Sequence, residues 1–309
     1  MIEELVSLKL GSDSIGKIVA LDVFPPKVKN ENVHYEICDI CDKEKLDTIF
    51  VNNKIDTLIH MAAILAPSER ISVEKMFAIN VVGTQNLIES SKLAGVERII
   101  YASSGAAYGY HKDNSQWLSE DRDPIRGNEE FPYSYHKRLN EEDFTTLKQS
   151  NPEIKQFLFR VGTVLGESVD NLITDMFKKP IIVGVKGSLA PFVFIWDKDL
   201  VQIFIQAIYS DKPGIYNIAG DGAVNLPDIA KALGKTFLPI PSALIENALR
   251  VLKLTRLSQY GPEQVKFLKY RPVLDNQKLK NTFEYVPEKT SREVFDYYLK
   301  SAFKNTQAS

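Results

Sequence analysis

The segment PYSYHK holds the residues best placed to do chemistry: Tyr133 and Lys137, spaced i,i+4 behind Pro132. A proline can start a helix, and on a helix that spacing puts both side chains on one face. A phenol with an ordinary pKa of about 10 is a poor base at neutral pH. An ammonium a few ångströms away favours the phenolate and lowers that pKa. Upstream, YASSGAAYG ends an apolar run with Ser103 and Ser104. Ser104 can hold a substrate oxygen while Tyr133 exchanges its proton as a hydride moves. The neighbouring Tyr135 has Leu139 at i+4 and lacks this arrangement.

Two other spacings invite a chemical reading and do not carry one. Gly11 to Lys17 reads G-x-x-x-x-G-K, but Ile18 follows where a phosphate loop needs Ser or Thr for Mg²⁺. The order around it is also reversed. A helical pattern, MIEELVSLKL, precedes it and a β-branched run, KIVALDVF, follows. We read a helix-to-strand turn with Gly11 near the helix C-cap. Cys38 and Cys41 form C-x-x-C, yet a zinc site would need two more ligands from only four histidines. Neither flank resembles a thioredoxin or zinc-ribbon context, so no metal is expected and both read as small residues at a strand end.

The elements that position these residues follow from periodicity. Strands are predicted in KIVALDV, VHYEICDI, IDTLIHMAA, VERIIYASS, KQFLFRVGTVLG and GIYNIAG. Helices are predicted in DKEKLDTIFVNN, VEKMFAINVVGTQNLIESSKLAG, PYSYHKRLNEEDFTTLKQS, LPDIAKALG and SALIENALRVLKL. Repeated strand–helix–strand order means a parallel sheet with right-handed crossovers, a doubly wound α/β fold with a smaller, more helical C-terminal portion. Such sheets bind ligands at the carboxyl ends of their strands. There IVALD ends in Asp22, placed to accept from a ribose hydroxyl, and no Arg follows at once, which leans towards NAD over NADP. An Asp ending a strand is also a common turn former. Asp39 and Ile40 follow the next strand, where they can flank an adenine. Ala62 and Ala63 end another and allow close approach of a ligand.

Composition bounds the rest. The 309 residues are 44% apolar and 25% charged, as in an ordinary soluble globular protein. A formal net charge of −2 offers no electrostatic footprint for nucleic acid or anionic lipid. No apolar run reaches membrane-spanning length, and the first residues carry no signal pattern. A cytoplasmic protein with no nucleic-acid or membrane partner is expected.

The order LIHMAA, NVVGTQNLIESSKLAGVERIIYASSGAAYG, PYSYHK, FRVGTVLG, FVFIWDKDL and GIYNIAGDGAVNLPDIAKAL resembles the extended short-chain dehydrogenases/reductases. This is the NAD-dependent epimerase/dehydratase family, of which UDP-glucose 4-epimerase is the best-known member. The resemblance covers nearly the whole chain. It implies a Rossmann-like fold, NAD as coenzyme and a nucleotide sugar as substrate. It implies Ser104, Tyr133 and Lys137 as catalytic residues. Asp22, Asp39, Ile40, Ala62, Ala63, Asn80, Ser103 and Thr163 fall at coenzyme positions, with Tyr133 and Lys137 also touching the coenzyme. Thr163 stands where the family usually has Asn. The resemblance further implies a coenzyme-binding portion in 1–165 with 192–222, and a substrate portion in 166–191 with 223–309. It implies a homodimer through residues 74–94 and 133–148, where Phe77, Val81, Leu87, Tyr135, Leu139 and Phe144 exceed what one core-facing stripe needs.

Departures matter equally. The family opens with a strand and G-x-x-G-x-x-G, which supplies a helix N-terminus for the pyrophosphate, and this sequence has neither. MIEELVSLKL resembles the helix after that loop. The missing strand would lie between IVALD and TLIHMA, so either the natural product starts further upstream or those two strands pair directly. The first is expected, as is weak dinucleotide binding by the sequence as it stands. Gly105 and Ala106 occupy places where sugar-nucleotide dehydratases carry Asp-Glu, so 4,6-dehydration is not expected. GSLAPFVF lacks the Arg that often holds phosphates. Arg271 in KYRPVLD either compensates or is a surface ion pair beside a proline. An epimerase or oxidoreductase for a nucleotide sugar therefore leads. A carbonyl reductase for a non-sugar ketone and a catalytically silent relative stand as alternatives.

Overall fold

Short β-branched runs form the strands and amphipathic runs the helices, in the alternation the sequence predicts. The computed structural model describes residues 1–11, 15–68, 70–255, 257 and 261–307. The chain forms two compact units. The first is Met1–Ala102, His136–Leu158 and Val201–Gly214, and the second is Ser103–Tyr135, Phe159–Leu200 and Ile215–Ser309.

In the first unit, α1 (Ile2–Gly11) precedes β1 (Ile18–Asp22) and β2 (Val33–Ile37). Helix then strand is the order read from the sequence; residues 12–14 of that turn lie outside the described residues. β1 and β2 pair in parallel, Ile18 opposite Val33 through Asp22 opposite Ile37. Val6 packs on Ile18 and Val33, which buries one apolar face of the pair. Next comes α2 (Lys43–Asn53), opened by Asp42, whose side chain accepts from the Lys45 amide. β3 (Thr57–His60) pairs in parallel with β4 (Arg98–Ser104). Between them α3 (Val73–Phe77) and α4 (Gly83–Ala94) are one helical run joined by a π-turn at Ala78–Val82. α5 (Pro132–Ser150) has the bounds the sequence predicts.

β5 (Lys155–Val161) and β10 (Gly214–Ile218) complete a four-stranded sheet of order β10-β5-β4-β3. β1 and β2 form a separate pair, and among the described residues no ladder joins β1 to β3. Direct pairing of those two strands, one of the two expected outcomes, is not observed.

In the second unit, β6 (Thr163–Leu165) follows β5 after a break at Gly162, whose amide donates to the Ile218 carbonyl. A Cβ there would come within 3.2 Å of a Val193 methyl and 3.3 Å of the Ile218 carbonyl, a tight fit for anything larger than glycine. α6 (Leu172–Lys178), β7 (Ile181–Val185), β8 (Pro191–Phe192) and β9 (Phe194–Trp196) come next, and α7 (Asp197–Tyr209), assigned to the first unit from Val201 on, leads on to β10. β11 (Val224–Asn225), α8 (Leu226–Ala232), β12 (Thr236–Ile240), α9 (Ser242–Leu254), α10 (Gln264–Lys269) and α11 (Ser291–Gln307) complete the chain. β6 pairs in parallel with β9, β7 in parallel with β12, and β8 antiparallel with β11. Phe177, Phe192, Phe194 and Phe295 pack ring on ring in the core beneath them.

This is a doubly wound, Rossmann-like α/β fold. One expectation is corrected. Val81, Leu87 and Phe144 are 2%, 4% and 1% exposed and belong to the core, leaving Phe77 as the exposed ring. The π-turn inserts a residue into the helical repeat, so the face carrying Val81 and Leu87 is rotated from the one a regular helix would present.

Candidate active site

Within the second unit, Ser104 ends β4 and caps a 3₁₀ turn, Gly105–Tyr108, its Oγ accepting from the Ala106 amide. Tyr133, in the first turn of α5, is hydrogen-bonded to that same Ser104 side chain. The sequence predicts this pairing, but not the electrostatics. Although Tyr133 as a residue is only half-buried, loss of water around its hydroxyl pushes its pKa up to about 12. The Ser104 hydrogen bond pulls it down only in part. The proton therefore rests on the phenol, the opposite of the shift expected from the Tyr–Lys spacing alone. Ser134, the next residue, donates from Oγ to the Ala106 carbonyl and ties α5 to the turn. Ser103 is buried, and Thr163 is half-buried with its amide donating to the Val193 carbonyl.

Lys137 lies in the first unit, one turn further along α5. Its Nζ donates to the Tyr101 hydroxyl at 3.0 Å and to the Ala102 carbonyl at 2.5 Å. The side chain is buried, and desolvation lowers its pKa to about 7, with Glu141 opposing. The ammonium thus sits at the threshold of its charge at neutral pH. Sequence reasoning missed the polar network that holds it. Asn140 Nδ2 donates to the Tyr101 hydroxyl at 2.8 Å and to the Asn80 carbonyl at 2.8 Å. Thr84 Oγ1 donates to the Asn80 carbonyl, and His60 Nε2 lies 2.9 Å from Thr84 Oγ1. The sequence signal was the spacing of His136, Lys137 and Asn140, polar residues at i, i+1 and i+4 of one helix; that all three are buried only the structure shows.

Asn80 also clamps the loop after β3, accepting from the Ile64 amide at 2.7 Å and donating to its carbonyl at 2.8 Å. Ala62 in that loop is exposed and Ala63 half-exposed. Asp22 is exposed at the end of β1 and accepts from the Phe24 amide, so it forms a turn whatever else it binds. Asp39 accepts from the Cys41 amide, which with Lys75 at 3.5 Å holds its carboxyl below the usual range. Ile40 is buried against Gly83, where any Cβ would collide with it. Cys38 and Cys41 are free thiols donating to the carbonyls of Asp39 and Ala78.

Of the two expectations for Arg271, a surface ion pair is corrected: its guanidinium lies inside the second unit, 3.9 Å from the Phe192 ring centre and 4.6 Å from that of Phe267. Burial lowers its pKa to about 10, and its Nη1 is buried with no hydrogen-bond partner among the described residues.

The profile of the NAD dependent epimerase/dehydratase family matches residues 8–219. An uncharacterized protein of Mycobacterium tuberculosis is 23% identical over 252 residues, 81% of this chain and 66% of its own length. A UDP-glucose 4-epimerase of Caenorhabditis elegans is 26% identical over 215 residues, 68% of this chain and 58% of its own. The chain thus spans less than two thirds of the length of these curated relatives. Among solved structures, UDP-glucose 4-epimerase with UDP-glucose from Thermotoga maritima has a TM-score of 0.72 at 18% identity, covering 98% of this chain and 95% of that one. MoeE5 in complex with UDP-glucose and NAD has a TM-score of 0.73 at 17% identity, over 98% and 95%. At such identities the likeness establishes the fold.

Proposed function

Since the chain belongs to the NAD-dependent epimerase/dehydratase family, we propose that it is an NAD-dependent epimerase or oxidoreductase working by hydride transfer at a carbinol or ketone carbon of a nucleotide sugar. The observation that carries this reading is the Ser104–Tyr133 hydrogen bond, with Lys137 one turn along the same helix. Ser104 orients the substrate oxygen and Tyr133 holds the proton that oxygen gains or gives up. A phenol whose proton rests in place is set to protonate a carbonyl oxygen; the reverse direction requires the phenolate. NAD, when bound, supplies the hydride acceptor and a positive charge. Exposed Asp22 and the small side chains of Ala62 and Ala63 suit its ribose and its close approach. Lys137, fixed by Tyr101 and Ala102, suits the other ribose. In this reading 1–165 with 192–222 serve the coenzyme, and 166–191 with 223–309 serve the sugar.

Arg271 favours a nucleotide sugar over a non-sugar ketone. A buried guanidinium with an N–H unpaired among the described residues gains from any acceptor that reaches it, and a diphosphate oxygen is a strong one.

The test is turnover of UDP-glucose with added NAD, followed as epimer or as reduced coenzyme. Tyr133→Phe should lower kcat by about 10²–10⁴-fold while the melting temperature holds. An unchanged kcat in that variant would sink the assignment. A wild-type chain that neither turns over sugars nor binds NAD would leave the silent relative as the better reading.

A further inference from the structure

α9 reads SALIENALRVLKL: eight of its thirteen residues are apolar, yet none is buried. Leu244, Val251 and Leu254 are 61%, 59% and 78% exposed, and Leu257 just beyond is 77% exposed. Leu244, Ala248 and Val251 follow one another at i, i+4 and i+7, so they form a stripe on one face. Ile245 and Leu249, on the adjoining face, are the half-buried ones. At 100° per residue Arg250 flanks that stripe beside Leu254, and Lys253 lies opposite it, on the side of Ile245 and Leu249. A helix this apolar is ordinarily covered.

Charge says by what. Residues 242–269 carry Arg250, Lys253, Arg256, Lys266 and Lys269 against Glu246 and Glu263, a balance of 5 − 2 = +3 in a chain whose total is −2. Ion pairs occupy Lys253, with Glu263, and Lys266, with Glu130, and the local excess survives them. A second copy fits poorly. Thirteen residues make a strip about 20 Å long and about 10 Å wide, roughly 200 Å², against about 800 Å² per partner in a stable interface. Symmetric pairing would also bring two basic segments together. A hydrocarbon surface needs neither shape complementarity nor that area. Among the described residues no helix is long and apolar enough to cross a membrane, so this one can only lie along it.

Against the expectation of no membrane partner that the overall net charge suggests, we propose that α9 docks the protein in the plane of an anionic lipid bilayer, with Leu244, Val251 and Leu254 in the acyl boundary and Arg250 at the headgroups. The full chain is sedimented with phosphatidylcholine vesicles that contain or lack about one third phosphatidylserine. The chain should pellet with the anionic vesicles and bind neutral ones, or anionic ones in about 0.5 M salt, at least about tenfold more weakly. Leu244→Glu with Val251→Glu should weaken anionic binding at least about tenfold with an unchanged circular dichroism spectrum, since both side chains already face water. Leu254→Trp should show a blue-shifted emission when vesicles are added. The proposal is overturned if the wild-type chain stays in the supernatant with anionic vesicles, or if the double variant binds them as well as the wild type. It is equally overturned if the double variant abolishes self-association and no vesicle binding is found, which assigns the face to a second copy.

Discussion

His60 and His136 are imidazoles that the fold keeps neutral. Because Thr84 spends its proton on the Asn80 carbonyl, His60 Nε2 must be the donor to Thr84 Oγ1. Burial lowers His60 from 6.5 to about 3, with Lys137 adding to the effect, and lowers His136 to about 4. Both folded values lie below the unfolded one, so between pH 6.5 and about 4 the unfolded chain binds more protons. Stability is then fully present above pH 6.5 and falls as pH falls through that window. Each imidazole contributes up to about 1.4 kcal/mol per pH unit. His60→Gln with His136→Gln should flatten the dependence of urea unfolding free energy on pH between 6 and 4, whatever it does to stability at pH 8. An unaltered slope would show that these groups reach solvent.

At the scale of elements, the run α3–α4 decides which residues meet the core. Its π-turn sends Val81 and Leu87 inward and leaves Phe77 and Val82 each 39% exposed. Of the residues proposed for a homodimer, Phe77 therefore remains available on this run, with Tyr135 and Leu139 half-buried on α5. A symmetric pairing of the two helical runs should bury on the order of 1,600 Å² in all. Light scattering at micromolar concentration should report a dimer, and Phe77→Glu should shift it towards monomer without lowering the melting temperature. A monomeric wild-type chain under those conditions counts against the interface.

For the molecule as a whole, the question is how well it holds a dinucleotide. No glycine-rich turn joins a strand to a helix N-terminus among the described residues, so the amides that neutralise a pyrophosphate are lacking. Calorimetric titration of the 309-residue chain should give NAD binding weaker than micromolar, with NADP weaker still because Asp22 repels a 2′-phosphate. Asp22→Ala should narrow that preference. Micromolar NAD affinity would refute the first expectation, and equal affinities in the unmutated chain would reduce Asp22 to the turn residue its bond to the Phe24 amide already makes it.

The sequence by itself determined the elements up to residue 165 and the spacing of the candidate pair, but left α6, α7, α10, α11, β7 and β12 unread. The bounds of α5 and α9, the strand–helix alternation and the Tyr133–Lys137 spacing are local properties, set by helical and strand periods that any chain obeys. Only tertiary structure decided how those residues behave, because burial is imposed by segments distant in sequence. Packing around Tyr133 raised a pKa that its spacing to a lysine suggested would fall. Phe192 and Phe267, 79 and 4 residues away from Arg271, took up a guanidinium that composition would have left in water. The same reasoning covers α9: its helical pattern was legible, but that Leu244, Val251 and Leu254 stay exposed depends on where every other element came to rest.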